Sequence, residues 1–173
     1  MIIINTGNGK GKTTAAVGQI IRFLSHGFKV CMIQLFKNEK YYGEQKILVD
    51  LKNFYFFPFA KNFSPYDNLK NTEIETIKDQ CALALNKAKE ILNNSVIYDV
   101  LVLEEFNIAL RNKYIDKHNF IKLIKLLSQK LNLIITGRYA SKDLINMADI
   151  VTEMKEIKHH YNSGVKFNKG IEF

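Results

Sequence analysis

Nine residues near the start of the chain, Thr6-Gly7-Asn8-Gly9-Lys10-Gly11-Lys12-Thr13-Thr14, constrain the fold more than any other segment. In front of them stands Ile2-Ile3-Ile4, a short apolar run halted by glycine, as a buried strand is. Behind them Ala16, Ile20, Ile21 and Phe23-Leu24 recur at helical spacing until Gly27, a good C-terminal stop. Glycines at positions 7, 9 and 11 let successive backbone N–H groups curl around a phosphate, and the following helix adds its positive end. The general phosphate-loop pattern asks for Gly, four residues, then Gly-Lys-Ser/Thr. Gly11-Lys12-Thr13 satisfies its second half, while Thr6 stands where the leading Gly belongs. Lys12 is placed to reach the terminal phosphates of a nucleoside triphosphate, and the Thr13 hydroxyl to ligate Mg²⁺. The bland alternative is a glycine-rich turn carrying stray lysines. It leaves the strand before and the helix after unexplained.

The rest of the chain repeats the alternation of strand and helix. Residues 29–36 and 54–57 read as strands, the second stopped by Pro58, with a polar loop through Gly43 and a short helix over 44–51 between them. After a loop over 60–71, Thr72 and Glu75 form a capping box. The helix behind it carries Ile74, Ile77, Cys81, Leu85, Ala88 and Leu92 on one face. Val100-Leu101-Val102-Leu103 is apolar on both faces, as a central parallel strand must be. An amphipathic helix over 116–130, a strand over 131–136 and a short helix over 141–148 follow. The tail from Ile150 reads as extended segments joined by a turn at Asn162-Ser163-Gly164. The expectation is an α/β fold in one domain over residues 1–173. It has a mainly parallel sheet with helices on both faces, P-loop NTPase-like, and extended C-terminal tail segments.

Two further segments carry chemistry. Glu104 and Glu105 end the central strand, at the carboxyl edge where open α/β sheets bind ligands. Either can hold Mg²⁺ or its water shell, against the alternative of an acidic solvated turn. Arg138, in Thr136-Gly137-Arg138, reaches the same edge and can pair with phosphate or with a carboxylate such as Glu104 or Glu105. His159-His160 lacks ligand spacing, and the aromatics from Phe54 to Phe63 fit core and pocket wall better than a base-stacking platform. No nucleophile–base pair stands out, which suits chemistry that positions ATP and stabilises a leaving polyphosphate.

Charge and composition narrow the partners. Lys and Arg number 25 against 17 Asp and Glu, a net +8 over 173 residues that favours an anionic partner. Arginine occurs only at Arg22, Arg111 and Arg138, too sparse for the guanine forks of a DNA reader, so nucleic acid is not expected. The lysines, among them Lys37, Lys87, Lys122 and Lys158, are scattered through every element as a compositional bias, and most of the lysine reads as solvated surface. Cys31 and Cys81 lie in apolar stretches and read as buried and reduced. With no basic leader and no apolar run of about 18 residues, the expectation is a soluble cytoplasmic protein without membrane contact.

Together these blocks resemble the P-loop ATP:corrinoid adenosyltransferases, the cob(I)yrinic acid a,c-diamide adenosyltransferase family. The resemblance runs in order through residues 6–14, Gln34 to Lys37, Gly43-Glu44, Leu103 to Glu105, Ile135 to Arg138 and Ala148-Asp149. It ends in the tail Lys158-His159, Gly164-Val165-Lys166 and Gly170-Ile171. The Thr6 that breaks the general pattern is what this family looks like. The resemblance implies transfer of the 5′-deoxyadenosyl group of ATP to a Co(I) corrinoid with release of triphosphate. Residues Gly7, Asn8, Gly9, Lys10, Gly11, Lys12, Thr13 and Thr14 would hold the polyphosphate, with Thr13, Glu104 and Glu105 at Mg²⁺ and Lys12, Thr13 and Glu105 as the catalytic set. It further implies a homodimer and a reduced flavin or flavoprotein as electron donor. Three departures stand out. Glu104 replaces the usual Asp, and an aromatic segment falls at Asn62-Phe63-Ser64-Pro65 with Phe63 kept and a Trp absent. The chain also begins on the first strand, without the N-terminal extension of longer relatives. The rival expectation is an ordinary P-loop ATPase or nucleotide kinase, with Glu105 orienting water. Such an enzyme has no reason to carry the tail.

Overall fold

The computed structural model describes residues 1–37, 43–93, 98–166 and 168–171. The polar loop expected just before Gly43 and the last residues of the tail lie outside that set. The elements run β1 (Ile2–Thr6), α1 (Lys12–Ser25), β2 (Val30–Leu35), α2 (Gly43–Leu48), β3 (Phe54–Phe59), α3 (Asn71–Asn93), β4 (Val100–Glu104), α4 (Phe106–Arg111), α5 (Lys117–Ser128), β5 (Asn132–Thr136), α6 (Lys142–Met147) and β6 (Ile150–Glu153). The strands form one sheet in the order β3-β2-β4-β5-β1-β6. Every pairing is parallel.

Side chains that alternate along each strand build two cores. Val30 and Met32 of β2, with Val100 and Val102 of β4 and Ile134 of β5, pack under Ala16 and Ile20 of α1 and Leu48 of α2. Cys31, Ile33, Leu101, Leu103, Leu133 and Ile135 face the other way, against Ile77, Cys81 and Ala84 of α3 and Phe120 and Ile124 of α5. Helices cover both faces, as the apolar run of β4 required. Burial pushes both cysteine thiols up to about 12, so each stays protonated as a small core hydrophobe. Among the described residues no helix is long and apolar enough to cross a membrane.

Four local expectations are corrected. β3 runs through Pro58 to Phe59 because it is an edge strand; Pro58 pairs in register with Gln34 on one side and needs no donor on the other. The box at the head of α3 sits two residues earlier than Thr72 and Glu75: the Glu73 carboxylate accepts from the Lys70 N–H at 2.7 Å, while Lys70 O accepts from the Glu73 N–H at 3.0 Å. Helix α4 went unread, since six residues behind a left-handed Glu105 (φ 66) are too few to show a period. In the tail, β6 is extended beside β1, but Asn162-Ser163 belong to a 3₁₀ turn over His160–Ser163 that ends on left-handed Gly164.

Parallel strands bring all their carboxyl ends to one edge. Asn5 of β1 lies in register with Thr136 of β5, and Gln34 of β2 with Glu104 of β4. The glycine loop, the acidic pair and the Arg138 turn therefore meet there.

Candidate active site

The loop leaves β1 through Gly7 at φ 98 and enters α1 through Gly11 at φ 113, both in the left-handed region that glycine tolerates. Its outer wall is the chain just after β6. Gly9 N–H donates to Met154 O at 2.7 Å, and Met154 N–H to Thr6 O at 2.8 Å. A Cβ on Gly9 would stand 2.8 Å from both Lys155 C and Met154 O, which are backbone and cannot rotate away. Gly9→Ala should therefore cost about 1–3 kcal/mol in urea unfolding. Gly18→Ala, on the exposed face of α1 with nothing within 4 Å, should gain about 0.5–1 kcal/mol. Equal effects at the two sites would contradict this packing. The odd Thr6 is also explained: its hydroxyl accepts from the Ala140 N–H at 3.1 Å, tying β1 to the turn after β5, which a glycine cannot do.

Lys12, 8% exposed, curls back so that its ammonium donates to Gly9 O at 2.7 Å. Burial lowers its pKa, partly offset by Glu105. The ammonium is already at the mouth of the loop, on a weak acceptor that a phosphate can replace.

The two carboxylates divide. Glu104 is fully buried, and protein groups take both its oxygens. Oε1 accepts from the Thr13 hydroxyl at 2.5 Å and from Lys37 Nζ at 2.7 Å, and Oε2 from the Thr136 hydroxyl. Burial opposes its charge, but Lys37 and these hydrogen bonds outweigh that and hold its pKa below the ordinary carboxylate value. Lys37 shows the reciprocal shift. Burial pulls its pKa down, and Glu104 followed by Glu105 brings it above normal. Glu105 differs. Its N–H donates to Thr136 Oγ1 at 3.0 Å, while carboxylate Oε2 is shielded from solvent with no hydrogen-bond partner among the described residues. Burial, then the charge of Glu104, raises its pKa against the pull of Lys37, Lys12 and Arg138.

These groups open on a cleft of about 1540 Å³. Asn8, Gly9, Lys10, Gly11, Lys12, Thr13, Thr14, Glu105, Arg138 and Phe63 all line it, while Gly7 and Glu104 stand behind the wall. Phe63 packs on the core face that holds α3, and the Asn112 side chain anchors its loop by donating to Pro65 O at 2.8 Å. The Arg138 guanidinium lies over the Tyr66 ring, 4.9 Å from its centre, with Glu105 close enough to feel its charge. Tail residues His159, Tyr161, Gly170 and Ile171 also line it. The rings of His159 and His160 stack on each other, 4.7 Å apart. The described residues hold no cluster of three or more His, Cys, Asp or Glu fit for a metal ion.

Sequence reasoning noted Lys37 only as the end of the Gln34 to Lys37 block and gave it no role. Read as one solvated lysine among many, it is 9% exposed and donates to Thr13 Oγ1 at 2.6 Å as well as to Glu104. The available signal was its place just past the end of an apolar strand, at the ligand edge.

A glycine loop with its lysine and threonine at the head of α1, an acidic end on β4 and an arginine beyond β5 stand at one edge of an α/β protein of P-loop NTPase-like fold. Solved structures agree on the fold. A flagellar accessory protein, FlaH, of Methanocaldococcus jannaschii superposes with a TM-score of 0.53 at 11% identity, over 88% of this chain and 69% of that one. A KaiC-like protein of Pyrococcus horikoshii gives 0.52 at 15% identity, over 91% and 73%. Sequence comparison goes further. The family described as ATP:corrinoid adenosyltransferase BtuR/CobO/CobP matches residues 1–173. A corrinoid adenosyltransferase of Sinorhizobium is 35% identical over all of this chain and 80% of its own length. One from Escherichia coli K12 is 33% identical over all of this chain and 85% of its own. The chain belongs to the ATP:corrinoid adenosyltransferase family.

Proposed function

We propose that the protein transfers the 5′-deoxyadenosyl group of ATP to the Co(I) centre of cob(I)alamin or cob(I)yrinic acid a,c-diamide, releasing triphosphate, in adenosylcobalamin synthesis or salvage. The observation that carries this reading is the cleft itself. At about 1540 Å³ it exceeds the range of about 300–1,000 Å³ usual for one small ligand. Its cationic, N–H-rich glycine loop suits a polyphosphate, and the same cleft is lined by Phe63 and by tail residues that can meet a second, larger ligand.

The chemistry asks little of the protein beyond this. Cobalt(I), part of the substrate, attacks C5′ with its own electron pair. The Co–C bond forms as the C5′–O bond breaks, and triphosphate leaves with the bonding electrons. Neither a base nor a protein nucleophile is needed. Catalysis then rests on holding C5′ in line and stabilising the leaving charge, through Lys12, the loop N–H groups and Arg138 released from Tyr66. The donor set suits Mg²⁺: Thr13 and Glu105 both line the cleft, and Glu105 Oε2 has no hydrogen-bond partner among the described residues, which leaves an ion room for its waters and phosphate oxygens. Thr13 and Glu105 would hold it, Glu104 orienting Thr13 from behind. When bound, Mg²⁺ neutralises part of the polyphosphate charge. A reduced flavin or flavoprotein supplies the cobalt electron. The enzyme acts in the cytoplasm as a homodimer.

Consumption of ATP with and without cob(I)alamin, under anaerobic reduction, tests the proposal. ATP should disappear only when the corrinoid is present; steady phosphate release without it would favour the P-loop ATPase or nucleotide kinase. Phe63→Ala should raise the corrinoid KM about tenfold, the loss of one aromatic contact, and leave the ATP Kd within about twofold. Equal loss on both sides would make Phe63 merely core.

A further inference from the structure

Building on that proposed function, we propose that Lys37 is a positioning residue for the metal-bound nucleotide: it locks Glu104 into an anchoring role and aims the Thr13 hydroxyl, leaving Glu105 as the carboxylate that faces the cation. A hydroxyl has one proton and two lone pairs. At 2.5 Å the Thr13 proton is directed to Glu104 Oε1, and at 2.6 Å one lone pair accepts from Lys37 Nζ. The second lone pair is the one left for the cleft, where Thr13 and Glu105 both present atoms. Without Lys37 the hydroxyl keeps only its bond to Glu104, and the lone pair that Lys37 occupied is no longer fixed. Glu104, fully buried and stripped of its counter-charge, then competes for any cation that enters.

The backbone supports this assignment independently. Phe36, immediately before Lys37, sits at φ 64, a left-handed conformation rare for a bulky residue. The strained residue is held by burial at 7% exposure and by its N–H donating to Phe59 O at 3.2 Å. That turn carries the chain from the end of β2 to the site, so that Lys37 meets α1 and β4 at once. It also accounts for glutamate at position 104. The Thr13, Lys37 and Thr136 donors converge on a carboxylate that reaches past the end of β4.

The test is ATP affinity by equilibrium dialysis, with Mn²⁺ as the metal and again in EDTA, for the wild type and Lys37→Met. In the wild type Mn²⁺ should strengthen binding. In Lys37→Met that enhancement should fall about tenfold or more, the usual cost of losing a group that orients a ligand, while ATP affinity in EDTA stays within about twofold. A structural defect would lower both equally. If Lys37→Met does not fold, the double variant Lys37→Met/Glu104→Gln removes both buried charges together, and the same loss of enhancement is expected. Its neutral amide can turn its NH₂ toward Thr13 and occupy the lone pair the cation needs. Enhancement unchanged in either folded variant, or equal loss with and without metal, overturns the assignment. A wild type that binds no ATP at all would overturn the proposed function beneath it, a distinct result.

Discussion

Lys12→Ala loses corrinoid adenosylation by a factor of about 10²–10³ and keeps its fold. The size follows from removing one charged donor that meets the leaving polyphosphate in a partly dry site, where such donors are worth about that much. The fold survives because Lys12 is not a structural cation. It is buried, its charge is disfavoured by that burial, and in the unliganded loop it holds Gly9 O at 2.7 Å. Replacing it costs one hydrogen bond and relieves a desolvated charge, so stability should change by no more than about 1 kcal/mol. Circular dichroism melting together with anaerobic adenosylation turnover checks both halves. Normal turnover in the variant would remove the phosphate role from the loop.

Glu105→Gln should separate activity from stability in opposite directions. Its Oε2 is shielded without a partner among the described residues, and burial and Glu104 raise its pKa above the ordinary 4.5. The folded state therefore holds the Glu105 proton more tightly than the unfolded chain does. Stability tied to that proton is present below the ordinary carboxylate value and is lost as pH rises through the raised one. Above that raised value the wild type buries a charge that Gln does not carry. Each kcal/mol relieved raises Tm by about 2–4 °C in a chain this size, and the advantage should shrink as the pH is lowered toward 4. Activity should meanwhile fall at least about tenfold, because an amide is a poor substitute for a carboxylate at a cation. A destabilised Glu105→Gln at pH 7 would mean that the carboxylate is satisfied after all.

The parallel sheet was legible because β4 is apolar on both faces and the helical periods between strands are long. Legibility failed where a rule depends on position in the sheet. Pro58 is permitted only because β3 lies at an edge, and no local pattern announces which strand is outermost. The loop and its neighbours at the carboxyl edge could be placed from Gly7 to Thr14 and from Glu104, Glu105 and Arg138. The division of labour between the two carboxylates could not. It arises from Lys37, just past the end of β2, and Thr136 of β5, on opposite sides of β4, and long-range partners leave no mark in local composition. Arg138 likewise reached the expected edge, but its resting partner is the ring of Tyr66, in a loop whose conformation periodicity does not describe.

One measurement bears most directly on the central claim: the identity of both products after anaerobic incubation with Mg-ATP and chemically reduced cob(I)alamin. A corrinoid spectrum of adenosylcobalamin, with inorganic triphosphate as the matching phosphorus signal, is the expected result. ADP and phosphate beside unchanged cobalamin would contradict it, and would leave a P-loop ATPase in a corrinoid adenosyltransferase scaffold.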